Sequence, residues 1–107
     1  MANTYVNAKV DLTTTDITTL YTCASLTTAI VKSILVSDDS GSGDTITVTI
    51  TNTSSAIFSL FKVKAVGANT TVELLTAPLV VEAGEILKVQ AATTNRLHVV
   101  ASILEIT

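Results

Sequence analysis

Turn signals recur about every 8 to 12 residues along this chain, and between them lie runs rich in Val, Ile and Thr, the rhythm of an all-β sandwich or barrel. Threonine alone makes up about a fifth of the residues, and its branched Cβ favours strands over helices. Asp11–Leu20 carries residue types that start helices, but its threonines make a strand-and-turn reading stronger. Residues 29–50, AIVKSILVSDDSGSGDTITVTI, set the pattern. In the second run Ile46, Val48 and Ile50 alternate with Thr45, Thr47 and Thr49, the period of a strand with one face in a core. In the first run both alternate sets are apolar, Val31 and Leu35 against Ile30, Ile34 and Val36, which predicts a central strand covered on both faces. The loop from Asp38 to Asp44 is longer than a two-residue turn, and its glycines supply positive φ, so the stretch reads as a β-hairpin.

The rest follows in order. Residues 3–12 alternate weakly and read as an edge strand or an N-terminal arm. Residues 17–23 form a short strand, and residues 57–66 (IFSLFKVKAV) a longer one whose apolar set changes face partway, which a twist or bulge would explain. Residues 70–75 give another strand. Pro78 bars a central ladder position. LVVEAGEILKV reads as a second hairpin, with Gly84 at its left-handed position. The closing run LHVVASILEI is apolar on both faces. The expectation is one domain over residues 1–107, an all-β, jelly-roll-like sandwich of about eight antiparallel strands. One core is expected to hold Val31, Leu35, Ile46, Val48, Ile50, Phe61, Val89, Val99 and Ile103.

Charge narrows the function. Only 14% of the 107 residues are charged, against about 25% in an average soluble protein. A small domain so short of charge is expected to keep part of its surface against other subunits. The net charge of −3, with six scattered Lys and Arg, argues against nucleic acid, whose phosphates need clustered cations. No apolar run approaches the ~20 residues of a membrane-spanning helix. The first residues lack the apolar segment of a signal peptide, so synthesis in a cytoplasm is expected.

Chemistry finds little purchase. The chain has one histidine and one cysteine, too few for a nucleophile, base and orienting group built on them. His98 lies mid-strand among aliphatic residues and reads as structural, and Cys23 reads as a small buried hydrophobe. Asp38, Asp39 and Asp44 lack the spacing of a calcium loop, so they read as a solvated turn. Gly41 and Gly43 precede no helix that would hold a phosphate. The Asn-x-Thr/Ser matches at Asn52 and Asn69 are read as coincidence in a threonine-rich chain. No catalytic residue, metal or cofactor is expected.

The segment LYTCASLTTAIVKSILVSDDSGSGDTITVTI, followed by APLVVEAGEILKV and LHVVASILEI, resembles small β-sandwich virion proteins of tailed bacteriophages. It departs from them after the Tyr-Thr pair, where Cys23, Ala24 and Ser25 stand in place of a proline-glycine turn. The resemblance implies a non-enzymatic virion component made in the host cytoplasm, foremost a capsid decoration, or cement, protein. Its implied partners are copies of itself and the major capsid protein. A tail, collar or fibre component is the first alternative, and a carbohydrate-binding module the second. The expected contact surface comprises Tyr5 and the threonine face Thr45, Thr47 and Thr49, together with the N-terminal arm.

Overall fold

A computed structural model describes residues 2–107. The chain forms β1 (Asn3–Leu12), β2 (Thr18–Thr22), β3 (Thr28–Asp38), β4 (Asp44–Thr51), β5 (Ile57–Val66), β6 (Thr71–Glu73), β7 (Leu79–Val81), β8 (Ile86–Ala91) and β9 (Leu97–Ile106). Two antiparallel sheets pack as a sandwich. One runs β1-β9-β3-β6 with β7 also on β3, and the other runs β2-β8-β4-β5. β7 pairs with residues 29–31 of β3 and β6 with residues 35–37, so the two act as halves of one strand, interrupted by the segment ending at Pro78. Counted that way the sandwich has eight strand positions in jelly-roll order.

That topology overturns both predicted hairpins. β3 lies in the first sheet and β4 in the second, so residues 39–43 cross the sandwich. Asp38 anchors this crossing, its Oδ1 accepting the Ser40 backbone N–H at 2.7 Å and the Ser40 hydroxyl at 2.6 Å, while Arg96 Nη1 donates to the Gly43 carbonyl at 2.9 Å. β7 and β8 are likewise split between sheets. The turn between them is tight, with Glu85 N–H donating to the Glu82 carbonyl at 3.0 Å and Gly84 at φ +83°. Glycine is required there twice over, because a Cβ would also sit 2.8 Å from Thr53 Cγ2. β4 and β5 are the one consecutive pair of strands that neighbour each other in a sheet.

The core draws on both sheets. Val31, Ile46, Val48, Val89, Val99 and Ile103 are fully buried, joined by Leu12, Ile34, Val36, Leu87 and Leu97. Ile50 and Phe61 are half-buried and pack against this cluster. Leu35 is a correction: it is 39% exposed, and β3 is not covered on both faces. The pairing of β3 with β9 slips between Val31 and Ser33, and that bulge inserts one residue into the alternation. Val31, Ile34 and Val36 therefore share the inner face, and Leu35 turns outward.

The face switch expected in β5 has the same kind of cause. Against β4 its register runs Ile46↔Lys64, Val48↔Phe61 and Thr49↔Ser59, so β5 carries an extra residue at two places. Val63, at φ +52°, sits in the first bulge, a conformation costly for a β-branched residue. Residues 3–12 do not form a detached arm. β1 pairs with β9 over all ten residues, from Asn3↔Ile106 to Leu12↔Leu97, as the edge of the first sheet.

Candidate contact surfaces

The expected contact residues fall on opposite sheets. Tyr5 projects from β1, 75% exposed. Thr45, Thr47 and Thr49 lie half-buried on the outer side of β4. Thr45 and Thr47 line an open groove of about 330 Å³ with Thr15, Val63, Gln90 and Ala92. Gln90 Nε2 donates to the Thr15 carbonyl at 3.0 Å and closes one wall. The Thr47 hydroxyl accepts the Val63 N–H at 3.1 Å, so it secures the β5 bulge. Thr49 lies farther along, beside Ile17 and Lys88.

The outer face of the first sheet carries a set of apolar residues that sequence reasoning did not name as a surface. Register places Val80, Ile30, Leu104 and Tyr5 in one row across β7, β3, β9 and β1. A second row runs Glu73, Leu35, Val100 and Lys9 across β6, β3, β9 and β1. Leu35, Val80 and Val100 are exposed. The signal was the double-sided apolar character of β3 and β9, which reads as complete burial until the sandwich shows only two layers.

The polar groups nearest to chemistry are engaged within the protein, although the buried Asp38 Oδ2 has no hydrogen-bond partner among the described residues. His98 Nε2 lies 3.2 Å from Asp11 Oδ1, and its Nδ1 lies 3.9 Å from Asp39 Oδ2, all three side chains well exposed. The shallow depression beside His98 is lined by Lys9, Val10, Asp11, Val99 and Val100, with no hydroxyl or thiol for an imidazole to activate. Cys23 is buried at the far end of the fold, its Sγ donating to the Thr27 carbonyl at 3.3 Å. Burial pushes its thiol above the ordinary range, the opposite of a nucleophile. In the acidic loop, hydrogen bonds from Ser40 hold the Asp38 carboxyl below its usual value. Asp44 Oδ2 accepts the Thr93 backbone N–H at 2.9 Å. Among the described residues no group of three His, Cys, Asp or Glu side chains has the disposition of a metal site.

The aromatics do not make a sugar platform. Tyr21 is buried, its hydroxyl donating to Glu105 Oε2 at 2.5 Å, and Phe61 packs on the core. The two exposed rings, Tyr5 and Phe58, stand on different sheets.

Fold and surface together define a β-sandwich of jelly-roll topology with outward apolar rows. No family model matches the sequence, and no curated protein does. The fold is similar to that of a chain from Bacillus endospore appendages, described as a novel family of disulfide-linked pili, with a TM-score of 0.60 at 10% identity over 99% of this chain and 87% of that one. A chain from infectious bursal disease virus, Gt strain, aligns with a TM-score of 0.48 at 9% identity over 98% of this chain and 30% of that one. At these identities the first likeness is one of fold.

Proposed function

We propose that this chain is a non-enzymatic structural component of a phage particle, a capsid decoration protein that holds to the shell and to its own copies through many weak contacts. It is made in the host cytoplasm and resides in the virion. The observation that carries this reading is the row Val80, Ile30, Leu104 and Tyr5, an apolar band spanning four strands on a face that none of the described residues covers. With 14% charged residues, the remaining surface is poorly suited to a free monomer. The pili of similar fold are disulfide-linked, whereas the single cysteine here is buried, so the contacts proposed for this chain are non-covalent.

Cryo-electron microscopy of intact particles, with copies counted against the major capsid protein, tests the reading. The expected result is density for this sandwich at regular positions on the shell, lying on the outer face of the first sheet. Density in the tail, collar or fibres would replace decoration by the alternative structural role. A protein that stays a monodisperse monomer at high concentration by light scattering, and does not bind shells lacking it, would remove the proposal's basis.

A further inference from the structure

The two sheets end in very different edges. β5 carries two bulges, β2 has five residues with a register slip, and the edge formed by β6 and β7 is two three-residue pieces separated by Pro78. Bulges, short strands and proline are three of the devices that blunt an edge against pairing, charged side chains being another. β1 has no bulge, no proline and no shortening, and only Lys9 and Asp11 bring charge to it. It is ten residues long and pairs with β9 without a register break.

Its open side can be read residue by residue. Ala2 and Thr107 exchange both backbone hydrogen bonds, at 3.2 and 3.0 Å. In an antiparallel ladder such pairs alternate, so the even residues of β1 bond to β9 while Asn3, Tyr5, Asn7, Lys9 and Asp11 aim their backbone groups away from it. Apart from the Asp11 carbonyl, which accepts the Thr13 N–H at 3.0 Å, these groups have no backbone partner among the described residues. An unpaired straight edge of this length needs an equally long straight edge, and the one this fold offers is β1 itself.

The geometry points to a second copy of this chain as the partner, paired antiparallel β1 to β1 about a two-fold axis through Asn7. In that register Asn7 faces Asn7 once, on the axis, while Tyr5 faces Lys9 and Asn3 faces Asp11 twice each. The pairs are a cation beside an aromatic ring, an amide beside a carboxylate and an amide beside an amide, with no like charges opposed. Shifting the axis to Lys9 would oppose two lysines, and shifting it to Tyr5 would leave fewer residues paired. The inner side matches as well. Val6 and Ala8 are half-buried at the margin of the core, and the same register sets Val6 of each copy against Ala8 of the other. Pairing joins the two first sheets and carries their outer apolar rows across both molecules. This rests on the structural reading above and specifies one of its contacts.

Cysteine capture with a short thiol-to-thiol crosslinker tests the register, the parent being its own control because Cys23 is buried. Asn7→Cys is expected to give a covalent dimer. Asn3→Cys is expected not to, since the two copies of residue 3 would lie eight strand positions apart, about 27 Å. Asn7→Pro removes a donor that the isolated fold leaves free, so it should melt near the parent yet raise the dimer dissociation constant about a hundredfold. Should that variant fail to fold, charge decides: Tyr5→Lys sets two lysines opposite each other and should weaken the dimer, and adding Lys9→Glu should restore it. Equal capture through residues 3 and 7, or a dimer indifferent to Tyr5→Lys, would overturn the pairing. A protein that binds shells while failing these tests would lose this edge contact and keep the structural role. One that dimerises through β1 but is absent from particles would do the reverse.

Discussion

The Glu73 carboxylate of β6 accepts the backbone N–H of Ile34 in β3 at 2.8 Å. Ile34 stands between the residues of β3 that pair with β7 and those that pair with β6, where no ladder partner reaches its N–H. Glu73 Oε2 also accepts the Leu75 N–H at 3.2 Å, and the Leu74 N–H donates to the Ile34 carbonyl at 2.9 Å. One carboxylate thereby completes the backbone accounting of a broken strand.

Glu73→Ala is expected to lower stability by about 1–2 kcal/mol, measured by denaturant titration, because it leaves these donors unmet at a partly solvated site. Partial burial raises the Glu73 pKa, but bonds from Ser33 and from the Ile34, Leu74 and Leu75 backbone outweigh it and hold the group below the ordinary value. A carboxylate depressed on folding contributes stability above its unfolded pKa and loses it as pH falls. The melting temperature should therefore drop between about pH 5 and pH 3, and Glu73→Gln should drop less over the same interval.

Tyr21 gives the opposite limb. Burial, reinforced by the neighbouring Glu105 carboxylate, raises its phenol well above the ordinary value. A raised pKa contributes stability that is complete below the unfolded value, about 10 for tyrosine, and is lost as pH rises beyond it. In a Tyr5→Phe background, phenolate absorbance above about pH 10 should rise together with loss of far-ultraviolet strand signal. Tyr21→Phe should flatten the alkaline decline in melting temperature.

Val48→Asp and Leu35→Asp together test the bulge in β3. Val48 is fully buried, so a charge there should cost several kcal/mol, enough to unfold a domain of ordinary stability. Leu35→Asp should lower the unfolding free energy by only about 0.5–1 kcal/mol. Equal effects would mean that Leu35 faces the core after all.

Thr47 and Thr45 share a groove but differ in bonding. Thr47→Val removes the acceptor for the Val63 N–H and should cost about 1 kcal/mol, while Thr45→Val should be nearly neutral by thermal melt. Val63→Gly relieves a left-handed β-branched residue at some cost in unfolded-chain entropy. The expected net effect is stabilisation of about 0.5–1 kcal/mol.

Sandwich class, strand positions and most of the core were legible because period-2 alternation is a local property. Ile46, Val48, Val89, Val99 and Ile103 follow from it directly. Partner choice was not legible, since alternation is identical for a strand in either sheet, and a glycine loop such as residues 38–44 serves a hairpin or a crossing equally well. The bulges in β5 left a trace, the change of apolar face near Lys62, whereas the one in β3 was hidden because both faces of that run are apolar. Tyr5 and the threonines could be chosen as surface residues but not assigned to opposite sheets, which depends on which strands pair.

The pairing of β1 with β9 has a consequence for synthesis. The first strand of the sandwich finds its partner in the ninth, Leu97–Ile106, and β3 depends on the same strand for its long ladder. A nascent or shortened chain without Leu97–Ile106 thus lacks an inner strand of the first sheet, which leaves β1 with no partner and β3 paired only with β6 and β7. Contacts so distant in sequence make for slow folding. They also make it close to all-or-none, so that the β1 edge is presented in usable form only by chains that carry β9.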